Sequence, residues 1–177
     1  LTNTGVSPAD NYETALTVLL PETERIASLL KLVDGQLHMQ YMVDKNGKVW
    51  IIEMMRRNIG NNWSMMLTDS VGINWPEWII RAETGMNCSS IPNTRYSNGY
   101  YGYHMMMAEK NGIFKGINIS DKIRPYIYQI TMWEQPGFVI NNFLSNKMGN
   151  VMFHFNTREE KEEFIPLINE LIKVNVE

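Results

Sequence analysis

Residues 37–62 read LHMQYMVDKNGKVWIIEMMRRNIGNN. Two apolar segments flank the polar turn Asp44-Lys45-Asn46-Gly47, and Asn-Gly between strand-like segments is a strong hairpin signal. The second segment carries the apolar run Val49 to Ile52, followed at once by Glu53 and then by Arg56 and Arg57. A carboxylate leaving an apolar strand costs free energy unless it meets a cation or a hydrogen-bond donor. The pattern therefore places a charged cluster at a strand's end, where metal and phosphate chemistry is often located.

Upstream, Ile26, Leu29, Leu30 and Val33 have the spacing of an amphipathic helix over Glu22 to Leu32. Thr14 to Leu20 is apolar enough for a strand or a short helix, and residues 1–11 have the composition of a loop. Asp34-Gly35 supplies turn chemistry before the hairpin. Downstream, Ser64 to Val71 reads as a short helix stopped by Gly72. Trp75-Pro76-Glu77 opens another helix, with proline in its first turn, that closes at Gly85. Met86 to Asn98, rich in Asn, Ser and Pro, is the candidate boundary between subdomains over 1–88 and 99–177.

Beyond that boundary the pattern turns to strands. Gly99 to Ala108 and Ile113 to Ile119 flank Lys110-Asn111-Gly112, which predicts a second Asn-Gly hairpin. Tyr126 to Trp133, Phe138 to Leu144 and Asn150 to Phe155 are strand-like, with Lys147 to Asn150 read as joining the last two. Thr157-Arg158-Glu159-Glu160 has the form of a capping box, and the helix it opens is expected to run to about Val174 with an interruption at Pro166. The fold class expected is α+β.

The chain has 177 residues, 44% hydrophobic and 20% charged, with a net charge of −3, enough for one domain or two small subdomains. That charge gives no electrostatic case for nucleic acid, which calls for a basic face. No apolar run approaches the roughly 20 residues that span a membrane, and no signal peptide opens the chain, so a cytoplasmic location is expected. A single cysteine, Cys88, excludes an internal disulfide and fits a reducing compartment. One Cys and three scattered His give no tetrahedral zinc set. The thirteen methionines are adaptable core filling in the simplest reading. Leu1 in place of Met suggests a segment of a larger protein, or processing or cloning of the chain.

The 37–62 stretch resembles the catalytic hairpin of the ATP-grasp superfamily, in which one strand bears a metal ligand and the next ends in a pattern near Glu-x-Asn-x-Arg, with a glycine following. Gln40 falls on the first ligand position, Glu53 on the second, Arg57 on the arginine and Gly60 on the glycine. Met55 stands where the family has Asn. The helices that follow, through WPEWIIRAETG, occur in the family's order. Residues from about 100 onward resemble the small β-rich C-terminal subdomain of the carboxylate–amine ligase branch.

The resemblance implies the C-terminal half of an ATP-grasp ligase, of carbamoyl-phosphate-synthetase-like or carboxylate–amine type, whose Rossmann-like domain and nucleotide lid would lie upstream. It implies ATP and Mg2+ (or Mn2+) as cofactors, small-molecule carboxylate and amine substrates, and a homodimeric habit. Glu53 and Gln40 would hold the metal, as Gln does in some carbamoyl-phosphate-synthetase relatives. Arg57, or alternatively Arg56, would hold the transferring phosphoryl group. Gly60 and Asn61 would supply supporting donors. The thioether of Met55 is a poor partner for magnesium, so Asn58, Asn61 or water would replace the missing oxygen, or metal binding would weaken. His38 shares a strand face with Gln40 and is read as a packed histidine, while His104 and His154 form no ligand spacing with it. Two other readings stand beside this one: a catalytically degenerate nucleotide- or partner-binding relative, and an independent binding module over 100–177.

Overall fold

The computed structural model describes residues 3–60, 62–93 and 97–177. The chain divides into two compact units, one of Pro8–Arg95 and one of Leu1–Ser7 with Tyr96–Glu177.

The Pro8–Arg95 unit consists of helix α1 (Tyr12–Leu29), strands β2 (His38–Val43) and β3 (Val49–Met55), and helices α2 (Trp63–Val71) and α3 (Trp75–Glu83). β2 and β3 form a two-stranded antiparallel sheet. Helix α1 is longer than its sequence periodicity suggests. The ambiguous Thr14 to Leu20 segment is helical and continues through Pro21 to Leu29. A proline inside a helix removes one backbone bond, and here it falls on an exposed position. Helix α2 ends on Gly72, whose φ of 71° closes the helix in the left-handed conformation that glycine adopts without steric cost. Helix α3 starts at Asn74, whose side chain accepts from the Glu77 backbone N–H, with Pro76 in the first turn.

The second unit opens with β1 (Thr4–Ser7), a strand within the segment that composition reads as loop. After β4 (Tyr100–Met107) come β5 (Gly112–Ile119), β6 (Ile127–Met132), β7 (Val139–Ile140) and β8 (Lys147–Phe155). Helices α4 (Arg158–Phe164) and α5 (Ile168–Leu171) precede β9 (Ile172–Val176). One antiparallel sheet has the order β1-β4-β8-β6 and the other β7-β5-β9. Strand β8 is central in its sheet, and its side chains from Met148 to Phe153 are all buried. Met148, Val151 and Phe153 among them join Phe114, Ile123, Phe155, Phe164 and Ile168 in one apolar core. Tyr126, Phe155 and Phe164 stack within it at centroid separations of 4.9 to 5.9 Å.

Three expectations change here. The Asn111-Gly112 turn does not make a hairpin, because β4 and β5 lie in different sheets. Each pairs elsewhere, β4 with β8 and β5 with β9, and Asn111 Oδ1 instead accepts from the Phe143 N–H at 2.9 Å. Residues Lys147 to Asn150 are strand, not connection. The turn lies just before them, where the Asn146 N–H donates to the Asn142 carbonyl at 2.8 Å. The final helix stops at Leu171, interrupted at Pro166 by a short 3-10 turn, and the alternating Ile172–Val176 segment pairs with β5. The capping box forms as read: Thr157 accepts from the Glu160 N–H, and the Glu160 carboxylate accepts from the Thr157 N–H.

Candidate active site

The site is built on the β2–β3 hairpin, so its geometry begins at the turn. Asp44 Oδ1 accepts from the backbone N–H groups of Asn46 and Lys48 at 2.8 and 3.1 Å. Its other oxygen accepts from the Trp50 indole at 3.1 Å. These donors, the indole foremost, hold the Asp44 carboxyl below the usual carboxylate range. Gly47 takes a φ of 80°, the conformation for which the turn needs glycine. Lys48 lies over the Trp50 ring, 3.7 Å from its centroid.

From this turn the strands pair as Val43↔Val49, Met42↔Trp50 and Tyr41↔Ile51, after which the register shifts. Ile52 is the extra residue of this bulge, and pairing resumes as Gln40↔Glu53, Met39↔Met54 and His38↔Met55. Side chains directly opposite one another, and those two apart on one strand, share a sheet face. His38, Gln40, Glu53 and Met55 therefore form a four-residue patch on one face at the open end of the hairpin. Bulges characteristically re-aim side chains beside active sites.

Gln40 and Glu53 are exposed, and His38 and Met55 are half-buried. Burial holds the His38 imidazole below its ordinary pKa; the nearby Arg57 guanidinium adds to this and the Glu53 carboxylate opposes it. Its Nδ1 is buried with no hydrogen-bond partner among the described residues. The Arg57 guanidinium is exposed and donates to the Asn58 carbonyl at 3.1 Å.

Arg56 is engaged elsewhere. Its guanidinium donates to the carbonyls of Val33, Asp34 and Gly35 at 2.9 to 3.0 Å. It lines an apolar cavity of about 390 Å³ with Trp75 and Trp78, and none of Gln40, Glu53 and Arg57 lines that cavity. Gly60 lies just before α2 and accepts from the Trp63 N–H at 3.3 Å, while Asn61 lies outside the described residues. Cys88 is unpaired, its Sγ 3.5 Å from the Met86 carbonyl. Both other histidines belong to the second unit. His104 is buried beside Thr4 Oγ1 at 2.8 Å, and His154 stacks on Tyr101 with its Nε2 2.8 Å from the Asn98 carbonyl. Among the described residues no three His, Cys, Asp or Glu side chains cluster as a metal site, so any cation here relies on donors outside those four types. No helix is long and apolar enough to cross a membrane among those residues.

The expected residues Gln40 and Glu53 face each other across the hairpin, and His38, read from the sequence as packed on the face it shares with Gln40, pairs with Met55. Register counted outward from the Asn-Gly turn without the bulge would instead set Gln40 against Ile52.

No protein-family model matches the chain, and no curated protein matches it in sequence. Solved structures match it over nearly its whole length. An L-amino acid ligase from Bacillus licheniformis superposes with a TM-score of 0.82 at 17% identity, over 100% of this chain and 44% of that one. Phosphoribosylglycinamide synthetase from Anaerococcus prevotii gives 0.74 at 19% identity, over 98% and 45%. The biotin carboxylase domain dimer of 2-oxoglutarate carboxylase from Hydrogenobacter thermophilus, in complex with MgADP, ADP and bicarbonate, gives 0.68 at 15% identity, over 99% and 40%. The chain thus spans less than half the length of each of these structures. With its two-stranded hairpin, flanking helices and β-rich second unit, the chain has an α+β fold that matches part of the ATP-grasp fold of these structures.

Proposed function

We propose that the chain is the C-terminal portion of an ATP-dependent ligase that joins a carboxylic acid to an amine through an acyl phosphate. The observation that supports this best is the cross-strand pair Gln40↔Glu53, which puts two oxygen-bearing side chains on one sheet face, with Arg57 four residues beyond Glu53 in the sequence. In this reading the Pro8–Arg95 unit carries the chemistry and the second unit supports it.

The donor set fits a divalent cation shared with a nucleotide. Magnesium typically uses one or two carboxylates, completes its shell with water, and is further held by substrate phosphates. Glu53 would supply the carboxylate and Gln40 a carbonyl oxygen. When bound, Mg2+ neutralises phosphate charge during transfer of the γ-phosphoryl group. Arg57 would hold the transferring phosphoryl group with its planar fork. Arg56 is the poorer choice, because its guanidinium is already spent on three carbonyls. Gly60 and Asn61 would add backbone donors beside the developing charge.

A reading without turnover has one observation in its favour: the Met55 thioether lies in the patch where a hard oxygen would be expected. Phosphate release by the full-length protein, supplied with ATP, Mg2+ and a pool of amino acids, separates the two readings. Acid-dependent release, abolished in a Glu53→Gln variant that keeps its melting temperature, supports the ligase. Undiminished release from Glu53→Gln would remove Glu53 from the site, and a folded protein that releases no phosphate would favour the degenerate reading.

A further inference from the structure

The Pro8–Arg95 unit contains a cavity that the proposed ligase chemistry leaves unused. It is lined by the second half of α1, the 32–37 segment and α3, and its volume is about 390 Å³. That falls within the range of about 300–1,000 Å³ typical of small-molecule sites. Its walls are largely apolar, with Leu37, Trp75, Trp78 and Ile79 half-buried around it. Two polar atoms of lining residues are unsatisfied. Gln36 Oε1 and Trp75 Nε1 are both buried without a hydrogen-bond partner among the described residues. An unpaired buried polar atom costs free energy, and two on one cavity, an acceptor and an indole donor, call for a common explanation.

The walls are fixed by bonds of their own. The Arg56 guanidinium fastens the 33–35 segment through three carbonyls. Gly35, at a φ of 144°, leaves free the space that a Cβ would take from that guanidinium. On α3, Arg81 pairs with Glu77 at 2.9 Å and lies over the Trp78 ring, 5.2 Å from its centroid. We propose that this cavity binds a small neutral amide carried on an aromatic body. The amide carbonyl accepts from the Trp75 indole and the amide N–H donates to Gln36 Oε1, so one group satisfies both atoms. A carboxylate offers acceptors only and would set one against Gln36 Oε1, while a hydrocarbon satisfies neither. Trp75 and Trp78 supply flat apolar surface for the ring. The site is distinct from the Gln40–Glu53 patch, and the inference stands or falls independently of the ligase reading.

The test uses benzamide, with benzoate and benzene as matched controls, on the full-length protein. Binding is read at two lining residues: the 15N-labelled Trp75 indole by NMR, assigned by its loss in Trp75→Phe, and the Cys88 thiol by its rate of alkylation with iodoacetamide. Benzamide should shift the indole resonance saturably and slow alkylation severalfold. Benzoate and benzene should each bind about tenfold more weakly, the loss expected for an unmade hydrogen bond. Trp75→Phe should weaken protection of Cys88 by benzamide to a similar extent and leave that by benzene unchanged. Ala82→Trp, which fills the cavity from α3, should abolish both responses. No response to benzamide overturns the proposal, as does equal binding of benzoate or benzene, or retained binding in Ala82→Trp. A Cys88 thiol already inert in the ligand-free full-length protein also overturns it, because another segment of the chain would then fill the cavity.

Discussion

The two units spend their apolar side chains differently. Among the described residues of Pro8–Arg95, Ala15, Met66 and Ile73 are the buried apolar ones. Met42, Trp50, Ile51 and Ile52 of the hairpin remain exposed. The second unit buries a continuous cluster from Met106 to Ile172 around β8, and its sheets have four and three strands. A two-stranded sheet is marginal alone and depends on what packs against it, here helix α1 along β3. The hairpin that carries the candidate chemistry is thus lightly packed, with its polar donors open on one face. The strand-rich unit is stabilised by buried area. The candidate chemistry and the cohesive core occupy separate parts of the chain, and each can be perturbed without touching the residues of the other.

The largest effect is expected in the cohesive unit. Phe153 is fully buried in the center of β8 and packs against Phe155 at 5.2 Å between ring centroids. Phe153→Ala should cost about 3–5 kcal/mol, the range for truncating a buried aromatic, read as a lowered urea midpoint. A loss below about 1 kcal/mol would mean that the cluster is not the stabilising core the burial pattern describes. In the lightly packed unit the matching experiment, under the proposed ligase function, is Arg57→Ala in the full-length protein. It should lower turnover by roughly 100- to 1000-fold, as removal of a charge-stabilising donor does, and leave the urea midpoint nearly unchanged. Arg56→Ala should do the reverse, lowering the midpoint by releasing the 33–35 loop while much of the turnover remains. Equal turnover losses in the two variants would merge roles that the structure separates.

The next effect depends on pH and belongs to His104. Burial depresses its pKa from 6.5 to about 4. The unfolded chain therefore binds a proton as pH falls through 6.5, and the folded chain does not until pH nears 4. Stability is complete above the unfolded pKa and declines between about pH 6.5 and 4, by about 3 kcal/mol at one pKa unit per 1.36 kcal/mol. NMR titration of the His104 ring follows this directly. A ring that titrates near 6.5 in the folded protein would show that β1 and Thr4 do not shelter it.

How much of this was legible in the sequence follows the same division. The hairpin was readable because Asn46-Gly47 encodes its own turn locally, and Gln40, Glu53 and Arg57 lie at fixed offsets from it. Gly72, Pro76 and the Thr157–Glu160 box announced helix ends for the same reason: caps are local chemistry. The second unit was harder because its pairing is decided at long range. Nothing between Met107 and Gly112 tells β4 to seek β8 or β5 to seek β9, and β1 enters its sheet only by pairing with a strand almost a hundred residues away. The Gln40↔Glu53 pairing depends on one bulge residue, Ile52, that nothing in the sequence announces, since a shift of one position changes which side chains face each other.

Helix caps provide the smallest and most even-handed comparison, because the same bond can be removed in both units. Thr157 caps α4 reciprocally: its hydroxyl accepts from the Glu160 N–H at 3.2 Å, and the Glu160 carboxylate accepts from the backbone N–H groups of Asn156 and Thr157. Asn74 caps α3 with one bond, long at 3.4 Å. Thr157→Ala should therefore cost about 1 kcal/mol and Asn74→Ala about half of that, within the known range for lost caps. Both are measured as urea midpoints. If Asn74→Ala proved the costlier, the lightly packed unit would depend more on each local bond than the core-rich one does. Cohesion in that unit would then rest on caps and turns, Asp44 among them, and the exposed apolar strand face would contribute little.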